Sequence, residues 1–338
     1  MSIKLAFMGF RHGHILDVYN RAKEMDELTI VAACEEGPNT REQLKENGNA
    51  EITHTNYIEM LDSVDCDVVA VGDYFGKRGG IIIEALSRGK HVISDKPICT
   101  SLDELNKIEA LAKEKNLVIG CQLDIRDGAP FRKVRQLIQE GVIGEVHAIT
   151  FGGQHPLMLG TRAGWYFEEG KHGGTINDIG IHAFDLIPWI TGSDYVEVIA
   201  ARSWNAFAED FPHFHDAGQF MMKLSNGCGV LGDVSYFMPD TMGYTLDLYW
   251  RTTFFGRDGI LEASWNMKTV RLMKNGDSEP KIIDVGEGTP GGYLKSFIKE
   301  VNGEKEGLSP SMAEVFKASR IALTTQKAGI ENQAHIRL

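Results

Sequence analysis

The sequence predicts an α/β domain built on a doubly wound parallel sheet, joined to an α+β domain whose open, mostly antiparallel sheet is covered by helices. Three observations predict it. Short apolar runs alternate with amphipathic helical stretches up to Cys121, the pattern of βαβ units and a parallel sheet. Beyond Val196 the chain becomes a series of strand-like runs broken at Asn226-Gly227, Asp258-Gly259 and Gly276-Asp277, dipeptides of tight hairpin turns. The length, 338 residues, exceeds what one hydrophobic core usually spans. The expected domains are 1–122 and 123–338.

Ile3–Met8 reads as the first strand, and a helical stretch follows from about Gly13 to Lys23. Leu28–Cys34 and Cys66–Val71 are further strands, Ile81–Ser87 a helix stopped by Gly89, and His91–Ser94 the next strand. Ser101 with Glu104 three residues on has capping-box spacing and opens a helix to Glu114. Leu117–Cys121 closes the first domain. Pro130–Glu140 is a helix ended by Gly141, Val146–Gly152 a strand, and Thr175–Ile190 a long apolar helix closed by Gly192. Strands run to about Val285, and Tyr293–Val301 and Ser311–Ala328 read as closing helices. Parallel sheets bind ligands outside the carboxyl ends of their strands. That directs attention to Gly9–His14, Glu35, Asp73–Tyr74 and Asp95–Pro97.

Composition narrows the partners. Hydrophobic residues at 43% and charged residues at 24% give an ordinary globular balance, which excludes a mainly disordered chain. A net charge of −12 repels phosphate backbones and anionic lipid, so neither nucleic acid nor a membrane surface is expected as partner. No apolar run approaches the roughly 20 residues of a bilayer span. Met1-Ser2 leads into the first strand with no basic leader. The five cysteines are scattered without a CxxC pair, so neither a disulfide framework nor a cysteine zinc site is expected. A reducing cytoplasm fits best.

Gly9-Phe10-Arg11-His12-Gly13-His14 follows the first strand. A dinucleotide (Rossmann) fingerprint places glycine first, third and sixth, for the turn, the pyrophosphate and the helix packing. Here the first survives, with a further glycine fifth, so the loop alone reads equally as an ordinary strand-to-helix turn. Arg11 and His12 would add positive charge to the backbone donors of a helix N-terminus, where phosphate is held. Glu35 ends the second strand, where the fingerprint puts a ribose-binding acid. It would accept from a 2′-hydroxyl and repel a 2′-phosphate, favouring NAD over NADP. Its other reading is a solvated loop acid, since Glu36 follows. The candidate cofactor contacts are Gly9, Phe10, Arg11, His12, Glu35, Asp73, Tyr74 and Lys96.

Two further patterns carry chemistry. In Asp95-Lys96-Pro97 the proline holds the preceding residue extended, so Lys96 has a preset direction at the end of a buried strand. In Gly173–Asp185, Asp178, His182 and Asp185 lie at i, i+4 and i+7, one polar stripe along an apolar helix. Buried polar groups need partners or a ligand. These residues match a family. Asp95-Lys96-Pro97 resembles the Glu-Lys-Pro motif of the Gfo/Idh/MocA oxidoreductases, and Gly173–Asp185 resembles their Gly-Gly…Asp-x-Gly-x-His-x-x-Asp helix. Arg126, the Ile143-Gly144-Glu145-Val146 step, Trp165 and the helix ending near Ala328-Gly329 look like that family too.

The resemblance implies hydride transfer between NAD(H) and a secondary hydroxyl of a sugar, polyol or related phosphate. It implies Lys96 as the contact to the substrate hydroxyl, His182 as general acid/base, and Asp178 as the group that orients the histidine or binds substrate. Arg126, His155 and Trp165 join Asp178 and His182 as candidate substrate contacts. Two other functions stay open on this scaffold. One is an NAD-retaining lyase, hydrolase or epimerase working by transient oxidation; the other is a non-catalytic ligand sensor. A divalent metal held by His155, Asp178, His182, His213 and His215 is the alternative to a metal-free pocket. A homodimer or homotetramer is expected, formed through the exposed face of the open sheet.

Overall fold

The computed structural model describes residues 2–338. They form two compact units. One comprises the chain up to Leu123 with Gly170–Gly173 and Gly291–Phe316; the other comprises Asp124–Glu169, Gly174–Pro290 and Lys317–Leu338.

The first unit is a βα alternation: β1 (Ile3–Met8), α1 (Ile15–Glu24), β2 (Leu28–Cys34), α2 (Pro38–Asn47), α3 (Tyr57–Ser63), β3 (Val68–Val71), α4 (Phe75–Ser87), β4 (His91–Ser94), α5 (Leu102–Lys115) and β5 (Ile119–Cys121). The five strands lie in the order β2-β1-β3-β4-β5, all parallel. Such a sheet is covered on both faces, so its strands read as continuous apolar runs; every residue of β3 is buried. The sheet order switches direction at β1, whose neighbours are β2 and β3. Its carboxyl end is therefore the switch point where doubly wound sheets take ligands. Ser101 caps α5 by accepting from the Glu104 amide, as its spacing predicts.

Three helical segments depart from the sequence reading. Neither α2 nor α3 is legible there, because α2 buries only Leu44 and shows no apolar stripe. Likewise α4 starts at Phe75 rather than Ile81, and Gly76, Gly79 and Gly80 dilute its first turns. A Cβ at Gly79 would lie 2.4 Å from the Glu104 carboxylate carbon, so a larger residue there would need that flexible side chain to shift.

The second unit holds α6 (Ala129–Gln139), β6 (Val146–Pro156), α7 (Ile181–Thr191), β7 (Tyr195–Trp204), β8 (Ala217–Leu224), β9 (Gly229–Met238), β10 (Arg251–Gly256), β11 (Gly259–Ala263), β12 (Thr269–Lys274) and β13 (Lys281–Asp284). The chain ends with α8 (Gly292–Val301), α9 (Met312–Glu331) and β14 (Ala334–Arg337). Among these, α8 belongs to the first unit, because Tyr293, Leu294, Phe297 and Ile298 pack in one core with Leu5, Phe7, Val18 and Ile93. The nine strands of the second unit run β13-β12-β11-β10-β6-β9-β8-β7-β14. All pairings are antiparallel except β6 with β9. On β8, exposed Gln219, Met221 and Lys223 alternate with buried Phe220, Met222 and Leu224, the signature of a sheet with one covered face.

The expected single helix over Thr175–Ile190 is two pieces. Ile176–Gly180 is a wide, five-residue π turn, and α7 follows it. Such turns insert one residue into the helical register and are frequent at functional sites. No helix is long and apolar enough to cross a membrane among the described residues.

Candidate active site

In the first unit the loop after β1 turns on Gly9 at φ +82°, where a Cβ would lie 2.6 Å from the Asp73 Cβ. Only glycine fits both the backbone and the approach. Glu35, at the end of β2, is wholly buried. Its carboxylate accepts from the Phe10 amide at 2.6 Å, the Gly37 amide at 2.6 Å and Arg11 Nε at 3.2 Å. A carboxylate offers about four acceptor sites, and these three donors fill most of them. Arg11 also lies 3.4 Å from Asp73 and over the ring of Tyr74 at 5.2 Å. Lys77 bridges Asp73 at 3.2 Å and Glu36 at 2.5 Å. The turn, the acid at the second strand end and the nearby guanidinium fit a dinucleotide.

Lys96 is brought out by β4 and is 4% exposed, with its ammonium 5.9 Å from the Phe75 ring. The segment that carries it is held by Arg78, which the sequence reading missed. Arg78 is fully buried; its Nε donates to the Asp73 carbonyl at 2.7 Å. Its Nη1 donates to the carbonyls of Asp95, Lys96 and Pro97 at 3.0, 2.6 and 3.0 Å, and Nη2 to the Asp95 carboxylate at 2.8 Å. His12 Nδ1 hydrogen-bonds the same Asp95 oxygen. Burial opposes charge on both partners. It pushes the His12 imidazole down to about 4. For Asp95 the burial is outweighed by Arg78 and His12, which hold the carboxyl well below its usual range. His12 is therefore a neutral donor to a carboxylate whose counter-ion is Arg78. This linkage ties the loop after β1 to the segment bearing Lys96.

In the second unit the polar stripe resolves into three separately partnered residues. Tyr236, on β9, donates its hydroxyl to Asp178 in the π turn. His182, 3% exposed in the first turn of α7, meets Trp250 edge-on at 4.6 Å. Asp185 accepts from Arg126 through Nε at 2.8 Å and Nη2 at 2.6 Å. Arg126, expected as a substrate contact, is 3% exposed and engaged bidentately on α7. Trp165 is buried against Tyr166 at 4.0 Å. His155 packs among Tyr249 at 5.1 Å, Trp250 at 4.9 Å and Tyr244 at 5.5 Å. Buried Asp178 and His182 thus lie against a cluster of aromatic rings that also holds His155.

Two of the histidines in the metal alternative have neighbours of their own. His215 Nδ1 lies 3.0 Å from the Ser203 hydroxyl, with burial lowering its pKa, while His213 lies 3.8 Å from Glu169. Among the described residues, the one group of three with ligand atoms within 4.8 Å of one another is His12, His14 and Asp95, in the first unit. There Arg78 already supplies the positive charge a cation would bring.

Comparison with known proteins bears on the whole arrangement. Residues 3–123 match the model of the oxidoreductase family with the NAD-binding Rossmann fold, and residues 131–262 match the GFO/IDH/MocA C-terminal domain. The 1,5-anhydro-D-fructose reductase of Ensifer adhaerens is 30% identical over 54% of this chain and 50% of its own length. The myo-inositol 2-dehydrogenase of Thermotoga maritima is 22% identical over 94% of this chain and 93% of its own. Among solved structures, an inositol dehydrogenase homolog from Azotobacter vinelandii, complexed with NAD+, is 15% identical, with a TM-score of 0.81 over 100% of this chain and 98% of that one. A putative oxidoreductase from Erwinia carotovora atroseptica is 21% identical, with a TM-score of 0.85 over 97% of this chain and 98% of that one. At these identities the structures speak to fold alone. Two models of one family therefore meet on this chain, in the same order as its two sheets, and the chain belongs to the Gfo/Idh/MocA family of oxidoreductases.

Proposed function

We propose that this protein transfers a hydride between NAD(H) and a secondary hydroxyl of a sugar or polyol, with Lys96, Asp178 and His182 as its catalytic residues. The observation that carries the reading is the buried Asp178–Tyr236 hydrogen bond beside buried His182, in a chain whose first unit matches the NAD-binding model. A secondary alcohol loses hydride only as its hydroxyl proton leaves. Imidazole titrates near neutral pH, so His182 is the group to take that proton. The Lys96 ammonium stabilises the developing alkoxide. Asp178, fixed by Tyr236, orients the imidazole or the substrate. Bound nicotinamide supplies the hydride acceptor.

In this reading residues 1–122 take the dinucleotide and 123–338 the substrate. Gly9, Phe10, Arg11 and His12 cradle the pyrophosphate, and Asp73 and Tyr74 border the nicotinamide end. Glu35 takes the ribose and favours NAD. His155 and Trp165 contact substrate. The five cysteines are all buried, and a reducing, cytoplasmic setting is part of the proposal. A homodimer or homotetramer is part of the proposal.

The test is direct. Purified protein is mixed with NAD and a panel of neutral and acidic sugars and polyols, and absorbance of the reduced cofactor is followed. Net reduced cofactor is the expected result. Failure of NAD and NADP to raise the melting temperature would overturn the reading.

A further inference from the structure

A cation in the second unit has no place in the chemistry described so far. Arg162 lies in the loop between β6 and the short turn Gly164–Phe167. Its Nε donates to the Leu157 carbonyl at 2.7 Å, and its Nη2 to the Pro156 carbonyl at 2.6 Å. Nη2 also lies 3.4 Å from the Tyr244 hydroxyl. The guanidinium carbon stands 4.7 Å from the centroid of Tyr166 and 5.0 Å from that of Tyr236. Both rings are buried, while Arg162 itself keeps partial exposure.

What distinguishes this guanidinium is the missing anion. Arg11, Lys77, Arg78 and Arg126 each stand within 4.0 Å of a carboxylate. Arg162 has two carbonyls, one distant hydroxyl and two ring faces, all formally neutral. Partly desolvating a charge is unfavourable unless it is paired. Two backbone acceptors and two rings nonetheless fix it in one orientation, so little side-chain freedom remains to be lost when a ligand arrives. They leave both Nη1 hydrogens without a partner. A guanidinium N–H donates a strong, charge-assisted hydrogen bond to an oxygen of a carboxylate or phosphate.

We infer that Arg162 binds an oxyanion of the substrate, so that the sugar acted on is acidic rather than neutral. The inference rests on the reading of this chain as a sugar or polyol oxidoreductase and names the substrate class for it. Tyr236 defines the geometry: its ring faces Arg162 and its hydroxyl is given to Asp178. The oxyanion therefore lies one tyrosine ring from the carboxylate of the acid/base pair. Repulsion from Asp178 confines it to the Arg162 side, which sets the direction in which the sugar enters. Carboxylate and phosphate monoester share this chemistry.

The experiment is calorimetric binding to the NAD-saturated protein, using matched pairs: D-galacturonate with D-galactose, D-gluconate with D-glucitol, and D-glucose 6-phosphate with D-glucose. Wild type should bind at least one acidic member about ten- to hundredfold more tightly than its neutral partner, the range of a charge-assisted contact. The two sugar acids against the phosphate identify which oxyanion is used. R162Q should erase the preference and R162K retain part of it. Because each variant is compared with its own neutral partner, a general loosening of the 157–166 loop does not imitate the effect. Equal or tighter binding of every neutral member overturns the inference, as does a preference that survives in R162Q or a lack of binding by all acidic members. Acidic sugar bound without reduced cofactor leaves the inference standing and counts against hydride transfer. Turnover of a neutral sugar unaffected in R162Q does the reverse.

Discussion

Tyr236 and Asp178 are both buried, and burial together with the Asp178 charge holds the phenol well above its usual pKa. Tyr236 is therefore a permanent donor, and Tyr236→Phe should leave a buried carboxylate one donor short. We expect a loss of about 1–3 kcal/mol in urea unfolding and a fall in kcat larger than any rise in KM. Lys96→Ala and His182→Ala should each lower kcat by about 10²–10⁴-fold, as removal of a positioned acid, base or alkoxide contact does. Circular dichroism should report an unchanged fold, and full activity in either variant would move the site elsewhere. His12 carries a pH dependence of stability. Its folded pKa of about 4 lies below the ordinary value of 6.5, so between these values the unfolded chain binds more protons. Stability should be insensitive to His12 above 6.5 and fall by up to about 3 kcal/mol as pH drops towards 4. Urea midpoints at pH 7, 5.5 and 4.5 measure this, and His12→Gln should flatten the slope. The proposed catalytic residues drew attention in sequence, Lys96 by its place at the end of a buried strand and Asp178 and His182 by being polar in an apolar helix. Tyr236 and Arg162 did not, because each takes its meaning from a partner on another element.

Between residue and molecule stands the Arg78 clamp, a feature of α4 acting on the chain after β4. Arg78→Met would strand the Asp95 charge and the carbonyls of residues 95–97, a loss expected near 3–5 kcal/mol for breaking a buried pair. Arg78→Lys has too few donors to serve every acceptor, so it should fold yet hold Lys96 loosely, visible as a kcat defect at unchanged nucleotide affinity. A variant as stable and active as wild type would show that the clamp is dispensable. The sequence displayed the strands of the parallel sheet plainly, since their runs are apolar throughout. It concealed the start of α4, where glycines interrupt the helical pattern, and with it Arg78. It concealed α2 for a different reason, because a helix resting on the surface by one leucine has no stripe to find.

On the scale of the whole chain, the nine-stranded sheet leaves one face without covering helices. Met221 and Leu231 are cross-strand partners on it, 44% and 54% exposed. Apolar neighbours on an open sheet are placed to meet a second copy. The double variant M221K/L231K should lower the molar mass measured by light scattering, and an unchanged mass would put the proposed interface on another surface. The hairpin turns made this sheet visible in the sequence as a class. Its strand order was not, because β6 pairs in parallel with β9, about 80 residues on, and no local pattern encodes so distant a pairing.

The π turn at Ile176–Gly180 has a consequence for related sequences. One residue more than a regular helix needs sits between the glycine pair and His182, and each residue of an α-helix turns the side chain by roughly 100°. A relative lacking that one residue can keep its histidine in the same direction on a regular helix, whereas a chain that keeps the residue without the wide turn would rotate its histidine by about a quarter-turn. A single-residue gap in this segment is therefore compatible with an unchanged direction of the histidine at position 182.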